Sequence, residues 1–374
     1  MRKTFQYRAK INKQTEANCL QWLETCCILY NLALEQRINA YRQDKKSITC
    51  ITQKNQLPDL KKEFPEFKIV GSQVLQDVIE RLQRAFDAFF RRIKGKKDKA
   101  GFPRFRGRDR YDSLTLKQAG WKIIGRYLYI TGIGRFKLFL SRPIDGDIKT
   151  ITIRRTSSGN WFVCFSCDNV QAKELPSSDI EVGLDVGIKS FLVDSLGNSV
   201  ANPQFFRQSE KILRRRQRRM ARRKKGSNRR RKAKILVAKA HEKIANQRKD
   251  FLHKVANFYI AVFGTIYVEK LNITGMIRNR HLSKSIADSS WGMFIEMLSW
   301  KAVEAARKVI KVNPRNTSQL CSQCGEKVPK KLAVRVHACP FCGLVLDRDH
   351  NAAIVIKSRG HREQALTDRL LSVA

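Results

Sequence analysis

Two Cys-x-x-Cys pairs near the end of the sequence constrain the fold of this 374-residue chain more than any other feature. Cys321 and Cys324 form the first pair, and Cys339 and Cys342 form the second after fourteen intervening residues. Each pair can place two thiolates on one ion, and two pairs complete a tetrahedral shell. Because no position is left for water, the spacing predicts a structural Zn²⁺ site rather than a catalytic one. The alternative is two turns that carry free thiols.

The strong positive charge of the chain indicates a polyanionic partner. The sequence has 75 Lys and Arg against 33 Asp and Glu, a formal net charge of +42, and nucleic acid is the natural partner of such a field. An acidic membrane surface is the alternative, but no basic amphipathic helix or lipidation signal accompanies the charge. No apolar run approaches the roughly 20 residues that span a bilayer, and the N-terminus lacks an apolar signal core. We therefore expect a cytoplasmic protein without a membrane partner or a disulfide framework.

Hydrophobic periodicity divides the first half of the chain into strands and helices. Residues 3–10 alternate as in a strand, and apolar residues recur at helical spacing within 12–95. From 113 to 170 the period is two, and glycine- and proline-containing turns separate the segments. The pattern predicts an antiparallel sheet or small barrel, formed by residues 1–11 and 96–175, into which the helices of 12–95 are inserted.

Two basic segments are candidate nucleic-acid contacts. In F-P-R-F-R-G-R-D-R-Y, residues 102–111, aromatic residues interleave with arginines, a mixture that suits phosphate contacts and base stacking. Residues 207–260 are predicted to form a helical pair, broken near 226–228, with a cationic side and an anchored apolar side. A solvated loop and a solvated helix face are the alternatives. The candidate contacts are Arg104, Arg106, Arg214, Arg215, Arg218, Arg222, Arg229 and Arg230.

Three carboxylates that lie far apart in the sequence are candidate catalytic residues. Asp185 and Glu269 lie on apolar strands, where an acid costs free energy unless it is paired or binds a cation. Asp349 is predicted to open a helix, whose backbone amides and dipole stabilise an anion, and Asp347 is the alternative third acid. Together the acids could hold two divalent ions for phosphodiester hydrolysis, and carboxylate oxygens favour Mg²⁺ or Mn²⁺. For Asp185, the alternative is a buried ion pair.

Around these residues the chain resembles the TnpB family, OrfB-type "probable transposases" that are transposon-encoded RNA-guided DNA nucleases with a RuvC-type, RNase-H-like domain. The match runs in order across 181–357 and is weaker upstream, at 74–92 and 101–105. The motifs are G-L-D-V-G-I-K-S at 183–190, H-E-K-I-A-N-Q-R-K-D-F-L-H-K at 241–254, V-E-K-L-N-I-T-G-M at 268–276, S-S-W-G at 289–292, N-P-R-N-T-S-Q-L-C-S-Q-C-G at 313–325, and then D-R-D-H-N-A-A.

The resemblance implies an α+β multidomain fold, with an N-terminal β-barrel that carries an inserted helical bundle, followed by an RNase-H-like (RuvC) α/β domain at 180–357. The basic helical pair and a zinc ribbon at 315–345 would be insertions in that second domain. The resemblance also implies that Asp185, Glu269 and Asp349 are the RuvC acids, and that the barrel and helices hold guide RNA and read a short motif beside the target. The polar residues 358–374 lie outside the match, and we expect a flexible tail there.

The leading functional hypothesis is an RNA-guided, Mg²⁺-dependent DNA endonuclease of a transposable element. Its partners would be one guide RNA, derived from the transposon end and bound to a protein monomer, and a double-stranded DNA target cleaved next to a short flanking motif. We expect a prokaryotic protein that associates with the nucleoid when it is bound to DNA. A nuclease-inactive, RNA-guided repressor is the second hypothesis, but all three acids are present. A conventional transposase that needs no RNA is the third.

Overall fold

The structure is a computed structural model that describes residues 1–95, 100–331 and 333–373. It divides into two units, Met1–Gln171 and Ala172–Ala374, and each has its own hydrophobic core. The predicted boundary between residues 95 and 96 falls beside residues 96–99, which lie outside the described residues. Within the described residues, no helix is both long enough and apolar enough to cross a membrane.

Between its first and second strands, the described part of the first unit contains four α-helices. The helices are α1 (Lys13–Asp44), α2 (Cys50–Asn55), α3 (Leu57–Glu63) and α4 (Ser72–Lys94). Helix α1 begins where the side chain of Asn12 accepts a hydrogen bond of 2.7 Å from the backbone N–H of Thr15. Helix α4 buries one apolar face, including Val78 and Leu82, which confirms the amphipathic pattern read from the sequence.

One antiparallel sheet contains the seven strands found in residues 1–95 and 100–171. They are β1 (Lys3–Lys10), β2 (Ser113–Leu116), β3 (Trp121–Ile124), β4 (Tyr127–Ile130), β5 (Gly134–Leu138), β6 (Asp147–Arg155) and β7 (Trp161–Asp168). Their order is β2-β6-β7-β1-β5-β4-β3. Strand β1 pairs with both β5 and β7, so the strand that precedes the helices joins the same sheet as the strands that follow them. Within the described residues β2 and β3 are not paired with each other, so the sheet is open rather than a closed barrel.

A five-stranded mixed sheet forms the centre of the second unit. Its strands are β8 (Glu181–Val186), β9 (Ser190–Asp194), β10 (Ser199–Ala201), β11 (Thr265–Glu269) and β12 (Lys308–Val312), in the order β10-β9-β8-β11-β12. Strands β8, β11 and β12 are parallel, whereas β9 pairs antiparallel with both β8 and β10. A separate ribbon pairs β13 (Val336–Ala338) with β14 (Val345–Asp347).

In the described residues of the second unit, six α-helices accompany the sheet. They are α5 (Phe205–Ala221), α6 (Asn228–Val262), α7 (Ile273–Met276), α8 (Ser283–Ser289), α9 (Trp291–Glu304) and α10 (Arg348–Val373). Helices α5 and α6 pack against each other and carry the most basic part of the sequence. The break between them contains Gly226, at φ +85°, and Ser227, whose side chain accepts a hydrogen bond from the N–H of Arg230.

Helix α10 packs closely across the parallel strands. At Gly183 a Cβ atom would lie 2.2 Å from the carbonyl oxygen of Ala353, and at Gly360 it would lie 2.0 Å from the ring of Tyr267. The two glycines therefore allow helix and sheet to approach at both points. Further along the helix, Gln364 is hydrogen bonded to Tyr267 at 2.9 Å. Helix α10 thus continues beyond residue 358, where the sequence predicts a flexible tail, and its residues 360 and 364 contact the sheet.

Candidate functional site

Asp185 and Glu269 lie at equivalent ends of neighbouring parallel strands. In the register of β8 and β11, Leu184 is paired with Val268, so the next residue on each strand is one of the two acids. Both acids follow a run of buried apolar residues and are themselves partly buried. Parallel pairing therefore brings the ends of these two strands together, although the two carboxylates are 84 positions apart in the sequence.

The surroundings of Asp185 disfavour its negative charge. Burial raises the pKa of Asp185 well above its usual value, and the negative charges of Glu269 and Asp349 raise it further. Arg348 opposes this increase in the pKa. A carboxylate in such a position is stabilised by a bound cation, since the cation offsets both the burial and the repulsion.

Glu269 is held by a residue from the segment after β12. Burial raises the pKa of Glu269, while the hydroxyl of Thr317 and the charge of Arg359 act in the opposite direction. The Thr317 hydroxyl donates a hydrogen bond of 2.5 Å to the glutamate, and Thr317 is itself buried. Arg359 is in turn fixed by the backbone carbonyl of Arg315, at 2.9 Å. Thr317 thus orients one oxygen of the candidate catalytic acid.

Asp347 and Asp349 have different roles at the start of α10. The carboxylate of Asp347 accepts hydrogen bonds from the backbone N–H groups of Asp349, at 2.8 Å, and His350, at 3.2 Å, so it caps the helix. The carboxylate of Asp349 accepts a hydrogen bond of 2.8 Å from Arg348, and Arg335 lies 3.6 Å away. Because the carboxylate of Asp347 caps the helix, Asp349 is the better candidate for the third acid.

The three candidate acids lie in the same region of the second unit, but their carboxylate oxygens do not all lie within 4.8 Å of one another. Within the described ranges, one group of three or more Cys, His, Asp or Glu residues has all its ligand atoms within 4.8 Å of one another. That group is the cysteine cluster described below, and it does not include the three acids. Like charges at Asp185, Glu269 and Asp349 repel, which is consistent with this wider spacing. Oxygen donors that are partly buried and mutually repulsive fit a hard divalent cation.

The four cysteines converge as their spacing predicts. The sulfurs of Cys321 and Cys342 are 3.5 Å apart, and those of Cys324 and Cys339 are 3.6 Å apart. A tetrahedral site with Zn–S bonds of about 2.3 Å separates its sulfurs by about 3.8 Å, so the cluster fits Zn²⁺. Burial disfavours the thiolate of Cys339, but the backbone N–H groups of Cys342 and Phe341 lower its pKa to about 7. Such a thiol ionises readily when it binds a metal.

A buried asparagine connects the cysteine cluster to α10. The side chain of Asn351 is fully buried, and its oxygen accepts a hydrogen bond of 2.9 Å from the N–H of Ser322, directly after Cys321. Its amide nitrogen donates to the carbonyl of Leu320 at 2.7 Å. Sequence reasoning missed Asn351 and Thr317, although both lie within quoted motifs, N-P-R-N-T-S-Q-L-C-S-Q-C-G and D-R-D-H-N-A-A.

The predicted arginine contacts of the second unit separate into two groups. Arg214, Arg215, Arg218 and Arg222 line one cavity of about 750 Å³ along α5, and its other lining residues are Lys211, Arg219 and Arg223. Arg229 is exposed at the start of α6. Arg230 instead donates to the backbone carbonyls of Met220 and Arg223, at 3.1 and 2.8 Å, which stabilises the end of α5. This internal contact gives Arg230 a structural role that the sequence did not predict.

The two predicted arginine contacts of the first unit also differ. Arg104 is exposed and lines a cavity beside Phe105. The guanidinium of Arg106 packs over the rings of Tyr30, at 4.9 Å, and Tyr111, at 5.8 Å. Its stacking surface is therefore occupied within the protein, and Arg104 is the better-placed candidate for a nucleic-acid contact.

Family models match three parts of the chain. A model described as "Probable transposase" matches residues 163–280, and a "Cas12f1-like, TNB domain" matches 291–356. A model described as "Helix-turn-helix domain" matches 1–46, which form strand β1 and the single long helix α1 in the structure. The second match contains all four cysteines and Asp349.

Similar proteins extend over nearly the whole chain. A protein of Streptomyces pristinaespiralis named "Putative RNA-guided DNA endonuclease" is 29% identical, over 98% of this chain and 92% of the relative. One of Escherichia coli (strain K12), "Putative RNA-guided DNA endonuclease InsQ", is 27% identical, over 96% and 92%. The solved mini-RNA-guided endonuclease CRISPR-Cas_phi3 has a TM-score of 0.46 and 10% identity, over 96% of this chain and 92% of that one. The family-model matches and the relatives named RNA-guided DNA endonucleases, which extend over nearly the whole chain, confirm the resemblance to OrfB-type, TnpB-like proteins.

Proposed function

We propose that this protein is an RNA-guided DNA endonuclease of a transposable element. The observation that carries the proposal is the position of Asp185 and Glu269 at equivalent ends of adjacent parallel strands, where burial and the negative charges of Glu269 and Asp349 disfavour the ionised form of Asp185. Full-length relatives that bear the name RNA-guided DNA endonuclease support the same function. We infer that the protein acts in a prokaryotic cytoplasm, on nucleoid DNA.

The second unit is proposed to be a RuvC-type, RNase-H-like nuclease domain. In support, β9 and β10 extend the sheet antiparallel on one side of β8, and β11 and β12 extend it parallel on the other. Asp185 and Glu269 come from the adjacent central strands, and Asp349 from the helix that crosses them. The basic pair α5–α6 and the cysteine ribbon are insertions between these elements.

Asp185, Glu269 and Asp349 are the residues that would hold Mg²⁺, with Mn²⁺ as the alternative ion. Bound divalent ions would supply an activated water and stabilise the leaving oxygen of a phosphodiester. Thr317 fixes the orientation of Glu269, and Asp347 fixes the start of the helix that presents Asp349. The four cysteines would hold a structural Zn²⁺, which keeps the ribbon folded.

Guide RNA and target DNA are the proposed nucleic-acid partners. The cationic cavity along α5 fits a phosphate backbone, because its seven lining residues are all Lys or Arg. Base pairing with a guide derived from the transposon end would select the target, and the protein would read a short flanking motif. The stoichiometry we propose is one protein monomer with one RNA.

The two alternative functions fit the site less well. A nuclease-inactive, RNA-guided repressor has no need of all three acids, yet Asp185, Glu269 and Asp349 are all present. A conventional transposase would recognise transposon ends without RNA, whereas the full-length relatives carry the name RNA-guided endonuclease.

Purification of the protein from cells that also carry its transposon end, followed by sequencing of any co-purified RNA, tests the guide. Programmed cleavage is then measured for the wild type, for Asp185→Asn, and for Asp250→Asn as an exposed control on α6. We expect a defined RNA, loss of cleavage only in Asp185→Asn, and unchanged RNA content in all three proteins. An active preparation free of RNA would instead support the transposase.

A further inference from the structure

A cavity of about 1260 Å³ lies within the first unit. It is formed by the C-terminal part of α1, the segment that leads into α2, the second half of α4, and residues 102–105. This volume exceeds the roughly 300–1,000 Å³ of typical small-molecule pockets, so the cavity can admit part of a larger ligand.

Phenylalanine rings form one wall of the cavity. The ring of Phe102 lies edge-on to Phe86, at a centroid distance of 5.5 Å, and to Phe89, at 5.2 Å. Phe90 and Phe105 also line the cavity and are 59% and 57% exposed. A concentration of exposed aromatic surface at one concave site indicates a binding function, because scattered exposed apolar residues would not share one cavity.

The cavity is also cationic. Arg37, Arg42, Lys46 and Arg104 all line it, and no Asp or Glu is among the described residues that do so. The four cationic side chains would not strengthen the binding of an apolar peptide. An anionic ligand with flat apolar groups can contact both the cations and the phenylalanine rings. Nucleotides combine those two properties, since each has a phosphate and a base with a π-face.

Arg37 provides an unpaired donor at this site. Only 9% of Arg37 is exposed, and its Nε and Nη1 atoms each donate a hydrogen bond of 2.8 Å, to Gln53 and Gln83 respectively. Its Nη2 atom is buried and has no hydrogen-bond partner within the described residues. The guanidinium lies 5.1 Å from the ring centre of Phe86. A buried donor without a partner is costly, and an acceptor atom of a ligand would satisfy it.

We propose that this cavity binds an unpaired nucleotide of a single-stranded nucleic acid. The base packs against the phenylalanine wall, one of its acceptor atoms receives the Nη2 hydrogen bond of Arg37, and the adjoining phosphates contact Arg42, Lys46 and Arg104. The inference rests on the proposed function, because that function makes nucleic acid the partner of the protein. It does not depend on the nuclease acids, and unpaired guide RNA and displaced DNA are both possible sources of the nucleotide.

The test measures binding without cleavage, in full-length protein freed of RNA by high salt and kept in chelator for divalent ions. Short single-stranded RNA and DNA that contain the fluorescent base 2-aminopurine are titrated with wild type, Phe90→Ala, Phe105→Ala and Phe139→Ala. Phe139 is a matched control, since it is 51% exposed in the same unit but does not line the cavity. A duplex of the same length is the second control.

We expect Phe90→Ala and Phe105→Ala to weaken single-strand binding by about fivefold or more, the loss of one base–aromatic stack, and to reduce 2-aminopurine quenching. Phe139→Ala and all duplex affinities should stay within about twofold of wild type. The better of the RNA and DNA arms identifies the source. Unchanged single-strand affinity in both variants, or an equal loss for duplex, would overturn the proposal. Asp185→Asn should lose cleavage but quench 2-aminopurine fluorescence as the wild type does. Failure of the nuclease proposal and failure of the nucleotide-binding proposal therefore give different results.

Discussion

The side-chain oxygen of Asn351 accepts a hydrogen bond of 2.9 Å from the backbone N–H of Ser322, and this contact joins the cysteine cluster to the helix that carries Asp349. The same side chain donates to the carbonyl of Leu320, so both of its polar ends hold the first Cys-x-x-Cys turn. Since Asn351 is two residues from Asp349, an ordered cysteine cluster helps to fix the position of a candidate catalytic acid.

Replacing Asn351 by alanine should weaken this connection. Ser322 and Leu320 would each lose a buried partner, at a cost of about 1–3 kcal/mol per unsatisfied group. We expect a lower melting temperature and a reduced cleavage rate with the four cysteines still present. Thermal unfolding and a cleavage assay measure the two effects. Asn55→Ala, an exposed change on α2, is the control, and equal stability of both variants would contradict the role of Asn351.

Removal of the two kinds of metal should have separate effects. A chelator that removes Mg²⁺ should stop cleavage and leave the fold intact, because the carboxylates do not hold the ribbon together. Loss of Zn²⁺ should disorder the ribbon, since binding of a structural zinc contributes roughly 10–16 kcal/mol. Circular dichroism and metal analysis follow the fold, and a cleavage assay follows activity. Cleavage that continues without divalent ions would show that the carboxylate site does not hold the catalytic metal.

Burial of Asp185, together with the repulsion from Glu269 and Asp349, predicts an unusual pH dependence of stability in protein without divalent ions. The folded pKa of Asp185 is raised above its unfolded value of about 3.9, so the folded state binds its proton more tightly. Its contribution to stability is fully present below the unfolded pKa and is lost as the pH rises through the folded pKa. Glu269 acts in the same direction, because its pKa is also raised.

Asp185→Asn should therefore raise the melting temperature at pH 7–8 in chelator and flatten its decline with pH. Added Mg²⁺ should stabilise the wild type, since the cation offsets the repulsion, and should stabilise the variant much less. Melting curves between pH 5 and 8, with and without Mg²⁺, measure both effects, and Asp250→Asn is the exposed control. Equal Mg²⁺ stabilisation of wild type and Asp185→Asn would place the ion elsewhere.

Replacing Thr317 by valine should shift the pH dependence of cleavage. The hydroxyl favours the ionised form of Glu269, so its loss raises the pKa of Glu269 and reduces the ionised fraction at a given pH. The acidic limb of the rate profile should move to higher pH. A lost hydrogen bond to a charged group, worth about 1.5 kcal/mol, corresponds to about a tenfold slower rate near neutral pH. Thr317→Ser, which keeps the hydroxyl, should restore both the cleavage rate and the position of the acidic limb. If the pH–rate profile of Thr317→Val is not shifted, Thr317 does not lower the pKa of Glu269 in the active protein.

The sequence predicts those parts of the site that depend on local pattern. Asp185 and Glu269 are recognisable because each follows an apolar strand, and the four cysteines because their spacing matches the geometry of a metal site. Thr317 and Asn351 could not be identified in this way, because their roles depend on partners that are distant in the sequence. The continuation of α10 was missed for a similar reason, since its polar residues are held by the packing of Gly360 on Tyr267.

The arginines of α5 and α6 should affect nucleic-acid binding and stability differently. Arg215→Gln, Arg218→Gln and Arg222→Gln remove charges from the cationic cavity, so each should weaken duplex binding and reduce the slope of log affinity against log salt by about 1. Arg230→Gln should instead lower the melting temperature, because the carbonyls of Met220 and Arg223 lose a donor. Nucleic-acid binding measured from low to moderate salt, together with thermal unfolding, distinguishes the three α5 variants from Arg230→Gln. A salt slope unchanged in the three α5 variants would show that this cavity does not contact the phosphate backbone.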